Sequence, residues 1–161
     1  MLCHSFFVDG DKGGLRERDE AKRCKFYLDT SFFVDLEKER LEALRFVREH
    51  GGELCSSVLL VYEYRAAHRG SVARRLAAEY GIRIIWVRPS ILKQAENILR
   101  ELGVKNPSMN TIHDTAHILA AKSIGAIFVT SDKRACKRAV KLGVPCINHR
   151  TREEHWPEER S

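Results

Sequence analysis

Two hydrophobic rhythms alternate along the chain. Short, nearly unbroken apolar runs at Lys25–Leu28, Glu53–Cys55, Ile82–Val87, Ala126–Val129 and Val144–Ile147 read as strands. Between them apolar residues recur at helical spacing. Leu36, Leu41, Leu44 and Val47 mark one helix, which Gly51-Gly52 ends. Ser56 or Ser57 caps a second, running to about His68, and Ser71–Tyr80 forms a third. After Pro89-Ser90 a fourth carries Ile91, Leu92, Ala95, Ile98, Leu99 and Leu102 on one face and stops at Gly103. Lys105–Asn110 reads as a loop. Ile112, Ala116, Leu119 and Ala120 then repeat in a fifth helix, capped by Thr111 and stopped by Gly125, and Lys133–Leu142 makes the last. Strands alternating with helices call for a parallel sheet covered on both faces. The expected fold is α/β, three layers deep (α/β/α), with a central parallel sheet of about five strands.

The two ends differ from this pattern. Residues 1–24 mix glycines with a run of charge and read as a loosely ordered extension. Within it, SFFVDGDK at Ser5–Lys12 nearly repeats SFFVDLEK at Ser31–Lys38, but the first copy is preceded by Cys3-His4 and the second by Asp29-Thr30. Eight residues are too few for a structural unit, and the first copy is expected to be chemically silent. Residues 25–147 make the domain. The charged tail, 148–161, is expected to fray.

Composition narrows the partners. The 161 residues carry a net charge of +6 with 43% hydrophobic and 31% charged side chains, which fits one globular domain with an anionic partner. Nucleic acid ranks ahead of a membrane, because no basic amphipathic helix stands alone. Arg65, His68, Arg69, Arg74 and Arg75 form one basic cluster, and Lys133, Arg134, Lys137, Arg138 and Lys141 another. The spacing of Lys133, Lys137 and Lys141 also suits an ordinary solvated helix face. The five cysteines are an odd number with no C-x-x-C pair, which argues against a disulfide framework and a structural zinc site. No apolar run reaches membrane-spanning length, and Phe6-Phe7-Val8 is too short for a signal-peptide core. A cytoplasmic location is expected.

Four carboxylates stand out by position. Asp29 and Asp132 each follow a strand, and Asp114 lies in the expected first turn of its helix. Glu63 lies roughly 9 Å into another helix at 1.5 Å per residue, with a side chain able to lean back toward its start. If the strands before Asp29 and Asp132 are neighbours, all four acids meet at one sheet rim, where ligands bind in open α/β sheets. Acids so packed repel one another, and a hard divalent cation such as Mg²⁺ or Mn²⁺ relieves the repulsion. Singly, each acid is an ordinary cap or surface residue. Only the set points to chemistry.

In LDTSFF at Leu28–Phe33, VYE at Val61–Glu63, IHDTAHILAA at Ile112–Ala121 and FVTSD at Phe128–Asp132, the chain resembles the PIN-domain nucleases, especially single-domain VapC-type toxins. The resemblance spans about Lys25–Ile147. It implies a metal-dependent endoribonuclease that cleaves RNA with Mg²⁺ or Mn²⁺. Asp29, Glu63, Asp114 and Asp132 would be the catalytic, metal-holding acids, and Thr30, Ser31, Thr130 and Ser131 the hydroxyl residues that orient them. Lys133 and Arg134, beside Asp132, are the best placed to bind substrate. It further implies an antitoxin protein as partner, a homodimer, and the role of toxin in a toxin–antitoxin pair. A housekeeping RNA-processing enzyme would carry the same acids, and a non-catalytic RNA-binding or scaffold module stays open.

Other readings fare worse. His113-Asp-Thr-Ala-His117 has the histidine spacing of a zinc-protease helix, but holds Asp where that chemistry uses Glu, and no third ligand is evident. A polar helix face accounts for the histidines. An all-helical phosphohydrolase conflicts with the strands, and a phosphate-receiver domain needs adjacent acids where Asp29 is followed by Thr30 and Ser31. The apolar run Val58–Val61 with Tyr62 and Tyr64 exceeds one buried helix face, which suggests either a partner surface or core packing.

Overall fold

Five of the short apolar runs lie side by side as a parallel sheet. In a computed structural model, which describes residues 24–67 and 69–158, they are β1 (Phe26–Leu28), β2 (Leu54–Ser57), β3 (Arg83–Ile85), β4 (Ile127–Thr130) and β5 (Cys146–Asn148). A sixth strand, β6 (Glu154–His155), pairs antiparallel with β5 and completes the order β3-β2-β1-β4-β5-β6. The helices are α1 (Thr30–Glu37), α2 (Leu41–His50), α3 (Val58–Ala66), α4 (Gly70–Glu79), α5 (Ile91–Glu101), α6 (Met109–Ser123) and α7 (Lys133–Lys141). Among the described residues no helix is long and apolar enough to cross a membrane.

Strand alternation divides the core. Phe26 and Leu28 point into one cluster with Phe32, Phe33, Leu36 and Phe46, whereas Tyr27 points into the other with Leu59, Ile85, Ile118 and Phe128. Both faces are therefore buried, which is why β1 reads as a continuous apolar run and not as an alternation. Each fully buried Phe or Leu contributes about 1.5–3 kcal/mol of transfer free energy. This is the expected three-layer α/β/α architecture, with the antiparallel edge strand added.

Several local features differ from the sequence pattern. The helix expected after Asp29 is two helices, broken where Glu39 takes a positive φ of 56°. The apolar repeat runs through the break because Leu36, Ala43 and Phe46 all face the same cluster. Ser108, not Thr111, caps α6, its hydroxyl accepting from the Thr111 N–H at 3.2 Å. Asp114 consequently sits in the second turn. Tyr62 alone of the Val58–Tyr64 stretch is strongly exposed, while Val58–Val61 and Tyr64 fill the core, so most of that run is packing.

Four cysteines are paired, as Cys24–Cys55 and Cys136–Cys146, each with Cα atoms 5.5 Å apart. This overturns the expectation drawn from their spacing. The partners come from adjoining elements of the fold, which no sequence interval encodes. Cys24 is also buried, at the end of the segment expected to be loose. Residues 1–23, with the near-repeat at Ser5–Lys12, and His68 lie outside the described residues.

The C-terminal segment is tied down where fraying was expected. The Asn148 side chain accepts from the Arg150 and Thr151 N–H groups at 3.0 and 3.3 Å, turning the chain into β6. Asp35 on α1 is fully buried and receives two bonds from Arg150, at 2.8 and 2.7 Å, and shares a contact of 2.8 Å with His149 Nε2. A buried carboxylate needs such partners, and here they come from the segment just past β5. Burial pushes the Asp35 carboxyl up, but the hydrogen bonds from Arg150 and His149 outweigh it and hold it below its ordinary range.

Asp35→Ala should therefore destabilise the fold by about 3–5 kcal/mol in urea denaturation, because a buried ion-pair network loses its centre. The lowered Asp35 contributes stability that is present above its unfolded value, near 3.9, and is lost as pH falls through its folded one. The acid limb of the stability curve should accordingly flatten in the variant.

Candidate active site

The parallel pairing of β1 with β4 sets the site. Leu28 is in register with Val129, and the Asp29 N–H donates to Val129 O at 3.1 Å, so both strands end together. Asp29 and Asp132 then leave the sheet at the same rim, each as the N-cap of the helix that follows. The Asp29 Oδ1 accepts from Ser31 Oγ at 2.6 Å and from the Phe32 N–H at 3.2 Å. The Asp132 Oδ1 accepts from the Arg134 and Ala135 N–H groups at 2.8 and 3.4 Å. In both residues Oδ1 is fixed by the cap.

Small hydroxyl groups knit the two strand ends. Ser31 Oγ accepts from the Ser131 N–H at 3.0 Å and lies 3.3 Å from Thr130 Oγ1, which in turn accepts from the Asp132 N–H at 3.0 Å. Ser131 joins through its backbone. Thr30 serves the other acid, donating to Glu63 Oε2 at 2.9 Å.

Glu63 is held more tightly than its sequence position indicated. Its Oε1 meets His117 Nε2 in a short contact, with His113 Nδ1 3.9 Å away. His117 is wholly buried, not part of a solvated polar face as expected. Its Nδ1 lies 2.7 Å from the Tyr27 hydroxyl, which lies 2.6 Å from Ser57 Oγ. An unbroken polar chain thus runs from Ser57 through Tyr27 and His117 to Glu63. Both ring nitrogens of His117 are engaged, so neither is free for the zinc that the histidine spacing suggested.

The charges explain the pairing. Burial raises Glu63, but the attraction and hydrogen bond of His117, with Thr30, bring it below its ordinary value. Burial opposes the His117 cation, yet Glu63, and after it Asp29 and Asp114, shift it upward. Asp29 is raised by burial, against the bonds from Ser31 and Thr130. Asp114 accepts no hydrogen bond from any described residue. Its carboxyl is pushed up to about 7, first by burial, then by the charge of Asp29, with Asp132 and Glu63 adding and His117 opposing. The other three sequence-predicted acids therefore all act on the Asp114 carboxyl.

The residues 26–141 match the family model for the PIN domain. The chain belongs to the PIN-domain family. A chain of the crystal structure of DNA-bound VapBC from Salmonella typhimurium has a similar fold, with a TM-score of 0.55 and 16% identity over 78% of this chain and 98% of that one. None of the curated proteins matches.

In this PIN domain, Asp29, Asp114 and Asp132 offer hard oxygen donors, a donor set that suits Mg²⁺ or Mn²⁺. Glu63 has both oxygens engaged by Thr30 and His117. Among the described residues no group of three or more His, Cys, Asp or Glu side chains is drawn tightly enough to close a coordination shell as it stands. Lys133 and Arg134 are exposed in the first turn of α7, next to Asp132. The sequence pattern did not point to Tyr27 and Ser57. His117, four residues after His113 and three after Asp114, had the one available signal, a histidine on the same helix face as a candidate acid.

A carboxyl raised from about 3.9 unfolded to about 7 folded takes up a proton on folding, so the native state is penalised progressively as pH rises through that interval. Asp114→Asn should accordingly raise the melting temperature at about pH 8 in EDTA and change it little at about pH 4. Mg²⁺ or Mn²⁺ should stabilise the unmodified protein more at the higher pH. A thermal melt series shows both, and a pH-independent response would remove the assigned repulsion.

Proposed function

We propose that the protein is a metal-dependent endoribonuclease that hydrolyses RNA phosphodiester bonds and acts in the cytoplasm as the toxin of a toxin–antitoxin pair. The observation that carries this reading is the convergence of four carboxylates, from four separate segments of the chain, on the rim where β1 and β4 end. Family membership adds to it, since PIN domains are typically nucleases that bind Mg²⁺.

Asp29, Asp114 and Asp132 would hold the Mg²⁺ or Mn²⁺. The ion, when bound, would neutralise charge on the scissile phosphate and lower the pKa of a bound water. Ser31 and the helix-capping N–H groups keep the Asp29 and Asp132 carboxylates aimed at the rim, so little reorganisation is needed. Glu63, braced by Thr30 and the His117–Tyr27–Ser57 chain, is fixed as an acceptor that orients the attacking water. Lys133 and Arg134, exposed beside Asp132, would meet the phosphate. An antitoxin would cover this acidic rim or its neighbourhood, and a homodimer is the proposed assembly. The similarity of fold to a chain of a VapBC complex supports the antitoxin as partner.

Cleavage of a fluorogenic single-stranded RNA should require Mg²⁺ or Mn²⁺ and stop in EDTA. Asp29→Asn and Asp114→Asn should each lower the rate on the order of 100-fold or more, as expected when several kcal/mol of metal-assisted stabilisation is lost. Unchanged rates in both variants would sink the assigned site, and salt-dependent binding without any cleavage would favour a non-catalytic RNA-binding module. Expression of the intact protein should arrest growth, and expression of Asp114→Asn should not. Harmless expression of an active nuclease would assign it to housekeeping RNA processing.

A further inference from the structure

A groove of about 510 Å³ opens where α7 faces the β5–β6 hairpin. Its helix side is built from Lys133, Lys137 and Val140, which follow one another along a single face of α7. Its far side ends on Trp156, a residue 59% exposed although large aromatic side chains gain from burial. The groove reaches the candidate active site, because Lys133 directly follows Asp132, and Asn148, which also lines it, donates to Ser131 O at 3.4 Å.

Charge is distributed unevenly across it. Helix α7 carries five cations, Lys133, Arg134, Lys137, Arg138 and Lys141, and no acid. Lys133 and Lys137 have no ion-pair partner among the described residues. The hairpin side holds Glu153 and Glu154, but Glu154 accepts from Trp156 Nε1 at 3.4 Å and Glu153 stands 3.5 Å from His155. One wall thus presents unpaired positive charge and the other an exposed ring whose N–H donates to Glu154. The hairpin is itself anchored through His149 and Arg150 on buried Asp35, so the ring sits on ordered backbone.

We propose that this groove binds the single-stranded RNA next to the scissile bond, with phosphates along Lys133 and Lys137 and a base stacked on Trp156. The assignment rests on the endoribonuclease reading for the position of the cut, but not for the binding itself. Base-on-aromatic stacking tolerates any sequence, because every base has a π face. A lysine row follows the strand's backbone, and each phosphate it neutralises steepens the salt dependence of binding. A strand laid in this way would enter the acidic rim at Lys133.

Fluorescence anisotropy of a labelled oligouridylate, measured in EDTA so that no cleavage occurs, tests the groove separately from the chemistry. Trp156→Ala should weaken binding about 5- to 150-fold, the range for loss of one stacked base, while Trp156→Phe should retain most of the affinity. Lys133→Gln with Lys137→Gln should lower the slope of log affinity against log salt by about 1.4, two single-strand phosphates' worth. Melting curves unchanged from the parent protein would confirm that these exposed substitutions leave the fold intact. Wild-type affinity and slope in all three variants would overturn the groove, even if the protein cleaves RNA. Weakened binding by a protein that cleaves nothing would uphold the groove and remove the nuclease reading. Loss of self-association in Trp156→Ala at unchanged RNA affinity, seen by sedimentation, would overturn it in favour of an interface between copies of the chain.

Discussion

Like charges held together against their own repulsion are the constraint around which this structure is built. Asp29 and Asp132 cannot move apart, because β1 and β4 are in-register neighbours and each acid is pinned as a helix cap. Asp114 is brought against them by α6, and burial removes the water that would otherwise screen the group. A fold shaped by packing alone would place apolar or neutral polar groups at such a rim. The cost is tolerable only if something cationic shares it, and His117 and the positive end of two helices supply part of that compensation. The remainder is what a divalent ion would provide.

Glu63 shows how the core serves the rim. Its carboxylate is braced by His117, whose ring is fixed from behind by Tyr27, which in turn meets Ser57, the cap of the helix that carries Glu63. The chain of contacts therefore closes on itself across three elements. Such a polar network in a dry interior is stabilising only when every member is satisfied, and here each of its groups has a partner. The arrangement also gives Glu63 a role apart from the other acids. Its oxygens are committed to Thr30 and His117, whereas Asp114 accepts no hydrogen bond from a described residue.

The C-terminal hairpin extends the same logic outward. Buried Asp35 follows Asp29 on α1 by less than two turns, and it draws Arg150 and His149 onto the domain. This converts a charged tail into an edge strand. The β5–β6 hairpin thereby becomes one wall of the groove beside α7, and Trp156 is presented there without taking part in the core.

The sequence by itself determined the alternation of strands and helices, the parallel α/β class and the choice of four candidate acids, because apolar period, glycine stops and strand-end carboxylates are local signals. Even there the details slipped: the apolar repeat ran straight through the break at Glu39, and Ser108 rather than Thr111 opened α6. Tertiary structure alone decided which strands are neighbours, and so that Asp29 and Asp132 share a rim. It also decided the partners of Cys24 and Cys136, the burial of His117 and the capture of the tail by Asp35. Each of these depends on a meeting between residues ten to more than a hundred positions apart, and no spacing along the chain records which distant groups will share a buried space.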